Sequence, residues 1–176
     1  MSVNKKTEKF WDMMSSKTDS IASKFSNTYD ESIKKTFNYL KKQDTVLDFG
    51  CGTGLICNEV SQYVKQIYAI DISSKMLEIA SNKAVDRKLN NIIFIKTDID
   101  TENWMDEAFD VIFAFNILHL IKDYDSVLSK LSKLLKKHGN LITSTECAGE
   151  NTKSMLYKIV KMLLKLNLDP YMSFFR

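Results

Sequence analysis

The chain has 176 residues, with 25 basic and 22 acidic side chains and a net charge of +3, a size typical of one globular domain. Hydrophobic residues make up 44% and charged residues 27%, which excludes a disordered chain. No apolar run reaches the roughly 18–20 residues that span a bilayer, and the Lys-rich start lacks an apolar signal core. We therefore expect a cytoplasmic protein without a membrane segment. The even spread of charge gives no strong signal for nucleic-acid binding.

The cysteines predict neither disulfides nor a metal site. The chain has an odd number of cysteines, Cys51, Cys57 and Cys147, and none of them has CxxC spacing. It has only two histidines, His119 and His138. Such a set supports neither a disulfide framework nor a zinc centre.

Five short apolar runs alternate with stretches of helical period. Because most are apolar nearly throughout, they are typical of parallel strands covered by helices on both faces. They predict an α/β fold with a Rossmann-like, open and mostly parallel sheet of at least five strands, in which ligands bind beyond the carboxyl ends of the strands. The runs are Thr45–Phe49, Gln66–Ile72, Asn91–Thr97, Phe109–Phe115 and Asn140–Thr145.

The clearest helical pattern lies before the fifth run. An apolar stripe from Val127 to Leu135 is flanked by lysines, and we predict that this helix continues to Gly139 as its left-handed C-terminal residue.

A glycine-rich loop follows the first run. The sequence Asp48-Phe49-Gly50-Cys51-Gly52-Thr53-Gly54 leads directly into a helical pattern. Glycine permits positive φ and lets a ligand approach the backbone, and the helix that follows offers free N–H groups. One glycine would serve a tight turn, so three at alternate positions favour a ligand loop. A GxGxxG dinucleotide fingerprint would need its third glycine where the chain has Leu55, which weakens a dinucleotide interpretation.

This stretch resembles the first motif of class I S-adenosylmethionine-dependent methyltransferases. The resemblance implies that Asp48 and the loop residues Gly50, Cys51, Gly52, Thr53 and Gly54 hold the amino-acid part of S-adenosylmethionine. Asp71, at the end of the second run, then binds the ribose hydroxyls, although NAD enzymes place an acid there too and a helix N-terminal acid is the simpler alternative. Ile72 and Met76 would flank the adenine.

Further site residues follow from the same resemblance. Asp98, with the neighbouring Ile99, would accept a hydrogen bond from the adenine amino group. Asp100 is the alternative acceptor, and a turn-forming Asp98 is the simpler explanation.

The segment after the fourth run resembles the small-molecule methyltransferases of ubiquinone and menaquinone biosynthesis. It reads Ile117-Leu118-His119-Leu120-Ile121, and in that family it passes beside the sulfonium and the substrate. The resemblance implies that Phe115 and Asn116 contact the cofactor and that His119 is a general base, a structural histidine being the alternative.

The amino-terminal segment is similar to the lead-in helices that cover the cofactor in this family. It contains Phe10-Trp11-Asp12, and Tyr29 would line the site. We therefore divide the chain into a helical lead-in, residues 1–43, and a methyltransferase core, residues 44–176. The family's sheet ends in an antiparallel hairpin, but after the fifth run we find only an amphipathic stretch from Lys153 to Leu168. We expect the hairpin to be missing and the core to be incomplete at its C-terminus: the chain is either a fragment or a natural short form whose sheet edge a homodimer or another partner covers.

Taken together, the sequence predicts a methyltransferase acting on an oxygen, nitrogen or carbon of a small molecule. Asn116 is not followed by Pro-Pro-aromatic, which disfavours methylation of exocyclic amino groups in nucleic acids, and no cysteine follows a proline, which disfavours C5 methylation of pyrimidines. Two alternatives stay open: a non-catalytic S-adenosylmethionine-binding module and an NAD-dependent oxidoreductase.

Overall fold

The structure, a computed structural model, describes residues 5–23, 31, 33–100 and 103–145. After an amino-terminal helix, strands and helices alternate as the apolar runs predict, except between the third and fourth strands, where the described residues contain no helix. In chain order they are α1 Lys5–Ser23, β1 Thr45–Phe49, α2 Leu55–Val60, β2 Gln66–Asp71, α3 Ser74–Asp86, β3 Ile92–Lys96, β4 Phe109–Phe115, α4 Tyr124–Leu134 and β5 Leu135–Ser144.

The five strands form one sheet in the order β3-β2-β1-β4-β5, and every neighbouring pair is parallel. This confirms the predicted Rossmann-like fold. The chain order reverses at β1, which pairs with β2 on one side and β4 on the other. A cleft opens at such a reversal, beyond the carboxyl ends of the two strands. The glycine loop leaves β1 at this point.

The central strands are buried on both faces, and since successive residues of a strand point to opposite faces, each face packs in its own hydrophobic cluster. Val46 packs with Ile56 of α2 and Leu77 of α3 in one hydrophobic cluster. Its neighbour Leu47 belongs to a second cluster with Leu131 of α4. The rigid two-sided core holds the carboxyl ends of β1, β2 and β4 in fixed positions beneath the loops.

The predicted end of the fourth helix is wrong. The helix stops at Leu134, and Leu135 already pairs with Phe109 as the first residue of β5. The left-handed residue is His138, with φ 70°, instead of Gly139. The register shifts between Phe109 and Val111, and Val111 pairs with Asn140. A bulge therefore accommodates the segment that sequence alone placed in the last turn of the helix.

Some predictions fall on residues outside the described ranges. These are the role of Tyr29, the helical stretch Lys153 to Leu168, the missing hairpin and the thiol Cys147. Within the described ranges, none of the helices is long and apolar enough to cross a membrane.

Candidate functional site

All three glycines of the loop have positive φ, the left-handed backbone conformation that glycine adopts readily. Their φ angles are 71° at Gly50, 53° at Gly52 and 75° at Gly54. The loop is fixed to the sheet because the N–H groups of Gly50 and Cys51 both donate to the Ile70 carbonyl, at 2.9 and 3.0 Å. The backbone after β1 therefore turns across the end of β2 before α2 begins.

The surroundings of the three glycines differ. A Cβ at Gly50 would lie 2.8 Å from Cγ1 of Ile117, and one at Gly54 would lie 2.8 Å from Cβ of Ala80. At these two positions neighbouring protein atoms alone leave no room for a side chain. A Cβ at Gly52 would meet nothing within 4 Å, so this residue borders open space, as expected where a ligand crosses the backbone.

Asp48 lies under this loop and is almost wholly buried, with 2% of its surface exposed. Burial raises the pKa of Asp48 to about 7, and its hydrogen bond with the Cys57 thiol offsets only part of that effect. Its Oδ2 atom has no hydrogen-bond partner among the described residues. A buried acceptor of this kind fits a ligand group that donates hydrogen bonds or carries positive charge.

Asp71 connects the glycine loop to the start of α3. Its carboxylate accepts the N–H of Gly52 at 2.9 Å and the N–H of Ser73 at 2.8 Å. Burial raises its pKa, and these two backbone hydrogen bonds act in the opposite direction. An ionised carboxylate has about four acceptor positions, so the Asp71 oxygens can also accept from a ligand hydroxyl. The predicted ribose role stays a prediction, and Asp71 also organises the backbone at the helix start.

The predicted adenine-side residues lie in several environments. Met76 is buried, with its sulfur 3.9 Å from the Thr18 hydroxyl of α1, whereas Ile72 is only partly buried. Asp98 accepts the N–H of Asp100 at 2.9 Å, the geometry of the turn-forming alternative. Ile99 is buried. Whether these side chains contact adenine stays a prediction.

The segment after β4 closes the other side of the cleft. Phe115 is buried, and Asn116 has φ 52° and donates its N–H to the Ser144 carbonyl at 2.7 Å. Positive φ is uncommon in residues other than glycine and tends to occur at functional sites. His119 lies in a short 3₁₀ turn, Leu118–Leu120, and its burial lowers the pKa of the imidazole.

The amino-terminal helix approaches the same edge of the sheet. Asp12 of α1 accepts the Ser73 hydroxyl at 2.6 Å and the Lys75 N–H at 3.2 Å, next to the backbone held by Asp71. A second acid of this helix, Asp19, reaches the glycine loop, and sequence reasoning missed it. Its spacing from Glu8 and Asp12 puts the three acids on one helix face, a pattern visible in the sequence but equally typical of a solvated surface.

A parallel sheet with a glycine loop at its reversal point and acids at the ends of β1 and β2 defines the class of α/β domains that bind nucleotide-like ligands. Comparison with known proteins identifies the family. A family model described as a methyltransferase domain matches residues 40–170. The chain therefore belongs to the methyltransferase domain family, as its resemblance to class I S-adenosylmethionine-dependent methyltransferases implies. The cofactor of this family is S-adenosylmethionine.

Individual relatives agree with this assignment. An uncharacterised methyltransferase of Schizosaccharomyces pombe is 35% identical over 135 residues, or 71% of this chain and 47% of the relative. A ubiquinone biosynthesis O-methyltransferase of Coxiella burnetii is 30% identical over 75% of this chain and 57% of its own length. A structure from Listeria monocytogenes, assigned as an S-adenosylmethionine-dependent methyltransferase, has a TM-score of 0.55 and 30% identity over 66% of this chain and 51% of that one. The chain thus spans about half the length of the curated relatives it matches.

Proposed function

We propose that the protein transfers the methyl group of S-adenosylmethionine to an oxygen, nitrogen or carbon atom of a small molecule. The observation that carries the proposal is the glycine loop at the carboxyl end of β1, where a Cβ at Gly52 would meet no protein atom within 4 Å. The similarity to a ubiquinone biosynthesis O-methyltransferase supports a small-molecule acceptor. Neither an NAD-dependent oxidoreductase nor a non-catalytic module gains support from these matches.

In this proposal the carboxyl ends of β1 and β2 bind the two polar parts of the cofactor. Asp48 accepts hydrogen bonds from the ammonium of the amino-acid part, which passes over Gly52. Asp71 accepts the ribose hydroxyls with the acceptor positions that its backbone partners leave open. Ile72 and Asp98 lie on the adenine side, and Asn116 lies beside the reacting centre.

The chemistry requires little from the protein beyond alignment. S-adenosylmethionine supplies a methyl group already activated by its sulfonium. Positioning of reacting groups can contribute roughly 7–11 kcal/mol in well-oriented systems. We assign His119 as the base for a hydroxyl or amine acceptor: because burial lowers its pKa, the imidazole is neutral near pH 7 and can take up the proton.

The edge strand β5 supports a further part of the proposal, a partner chain or a second copy that pairs with or covers the sheet edge. In the described part of the chain only β4 pairs with β5. Edge strands are usually covered, shortened or charged.

Calorimetric titration tests the cofactor assignment. We expect S-adenosylhomocysteine to bind and to raise the melting temperature, since a ligand that binds only the folded state stabilises it by about 2.7 kcal/mol at a hundred times its Kd. NAD serves as the matched ligand control and should leave the melting temperature unchanged. Binding of NAD but not of S-adenosylhomocysteine would overturn the proposal. Incubation with labelled S-adenosylmethionine and a metabolite extract then tests transfer to a small molecule.

A further inference from the structure

The hydroxyl and the carbonyl of Thr53, in the glycine loop, are both held by one ion pair. Its hydroxyl donates to Oδ1 of Asp19 at 2.6 Å, and its carbonyl accepts from Nζ of Lys83 at 3.1 Å. Asp19 and Lys83 are themselves paired at 2.6 Å. The three residues come from α1, the loop and α3, and they form a closed ring of polar contacts, the Asp19–Thr53–Lys83 ring.

The ring acts on the part of the loop that borders the open space. Thr53 follows Gly52, whose N–H is already fixed by Asp71 at 2.9 Å. Thr53 is 2% exposed, so water can take the place of Asp19 at its hydroxyl only if the loop moves. The loop is therefore held by Asp71 on one side of the Gly52–Thr53 peptide and by Asp19 and Lys83 on the other.

We propose that Asp19 is a positioning residue for the cofactor: it fixes the glycine loop in the conformation that binds S-adenosylmethionine, acting through Thr53. This inference rests on the proposed function. A loop that is already ordered loses less conformational entropy when a ligand binds, so its affinity is higher. Asp19 lies in the lead-in helix, outside the sequence motif that it supports.

The geometry favours a role in affinity over a role in folding. The side chains of Lys83 and Asp19 are 29% and 43% exposed, and exposed ion pairs contribute little to stability. The same helix is attached to the core independently of Asp19, by Asp12 on Ser73 and by Glu8 on Lys96 at 2.5 Å. Loss of Asp19 therefore leaves α1 attached while it releases Thr53.

The experiment measures S-adenosylhomocysteine affinity and melting temperature for the full chain and for Asp19→Ala. We expect about tenfold weaker binding, the lower end of the effect of a hydrogen bond to a charged group, because the pair is partly exposed. The melting temperature of the ligand-free protein should change little. Glu8→Ala is the matched control, since it removes an acid of the same helix face that pairs away from the loop, and its affinity should stay within about twofold of the original chain.

A double-mutant cycle shows whether Asp19 acts through Thr53. Thr53→Val removes the hydroxyl at similar volume, and in that background Asp19→Ala should weaken binding by less than about twofold. In a Thr53→Ser background, which keeps the hydroxyl, Asp19→Ala should again weaken binding about tenfold. Unchanged affinity in a folded Asp19→Ala variant, or equal losses for Asp19→Ala and Glu8→Ala, would overturn the inference. Failure of the unaltered chain to bind S-adenosylhomocysteine would instead contradict the proposed function.

Discussion

Replacement of Gly52 by alanine should weaken cofactor binding while leaving the protein folded. The added Cβ meets no protein atom within 4 Å, so the folded state pays only for left-handed backbone at φ 53°, about 1–2 kcal/mol. The same Cβ projects into the space assigned to the ligand. Steric overlap of one methyl group costs about 1–3 kcal/mol, which corresponds to a loss of roughly five- to 150-fold in affinity.

Gly54→Ala is the matched control, because the same substitution two residues away meets protein instead of open space. Its Cβ would lie 2.7 Å from Nδ2 of Asn58 and 2.8 Å from Cβ of Ala80. Backbone strain and overlap together should destabilise this variant by about 2–5 kcal/mol. Chemical denaturation measures the two stabilities, and calorimetry with S-adenosylhomocysteine measures affinity. If a folded Gly52→Ala variant bound with the original affinity, the loop would not be the cofactor site.

Two further predictions concern the carboxylates. Asp71→Ala removes the acceptor of two backbone N–H groups and should lower stability by about 1–3 kcal/mol. Calorimetry should show that S-adenosylhomocysteine binds about a hundredfold more weakly. Unchanged affinity would mean that Asp71 only fixes the backbone of the loop and of the helix start. The pKa of Asp48 rises to about 7 on folding, so the folded state keeps a proton that the unfolded state releases, and ligand-free stability should decrease as pH rises from about 4 to about 7. Asp48→Asn should make this dependence shallower in denaturation series, and an identical pH slope would contradict the assignment.

The strands could be predicted from sequence because each apolar run is short and bounded by polar turns. Thr45–Phe49 and Phe109–Phe115 match the structure at both ends. The end of the fourth helix was wrong because Leu134 and Leu135 continue a helical stripe, yet Leu135 pairs with Phe109 across the sheet. A long-range strand pairing outweighs local helical preference there, and no local pattern reports it.

The candidate site could be predicted to the extent that it depends on motif spacing. The glycine loop, Asp48 and Asp71 lie together at the ends of β1 and β2, as the alternation of strands and helices requires. The role of Asp19 could not be found this way, because its contacts with Thr53 and Lys83 depend on where α1 docks. An acid on one face of a surface helix has the same sequence pattern whether it faces solvent or a loop.

The reversal of strand order at β1 has a consequence for the order in which the protein assembles during synthesis. The pairings of β1 with β2 and of β2 with β3 join segments that are close along the chain, whereas Val46 of β1 must find Val111 of β4. Contacts between distant segments close larger loops and form later. Because Ile117 lies against Gly50, the glycine loop has its final wall only after this late pairing. We therefore expect a nascent chain to acquire cofactor binding abruptly, when the segment after β4 leaves the ribosome.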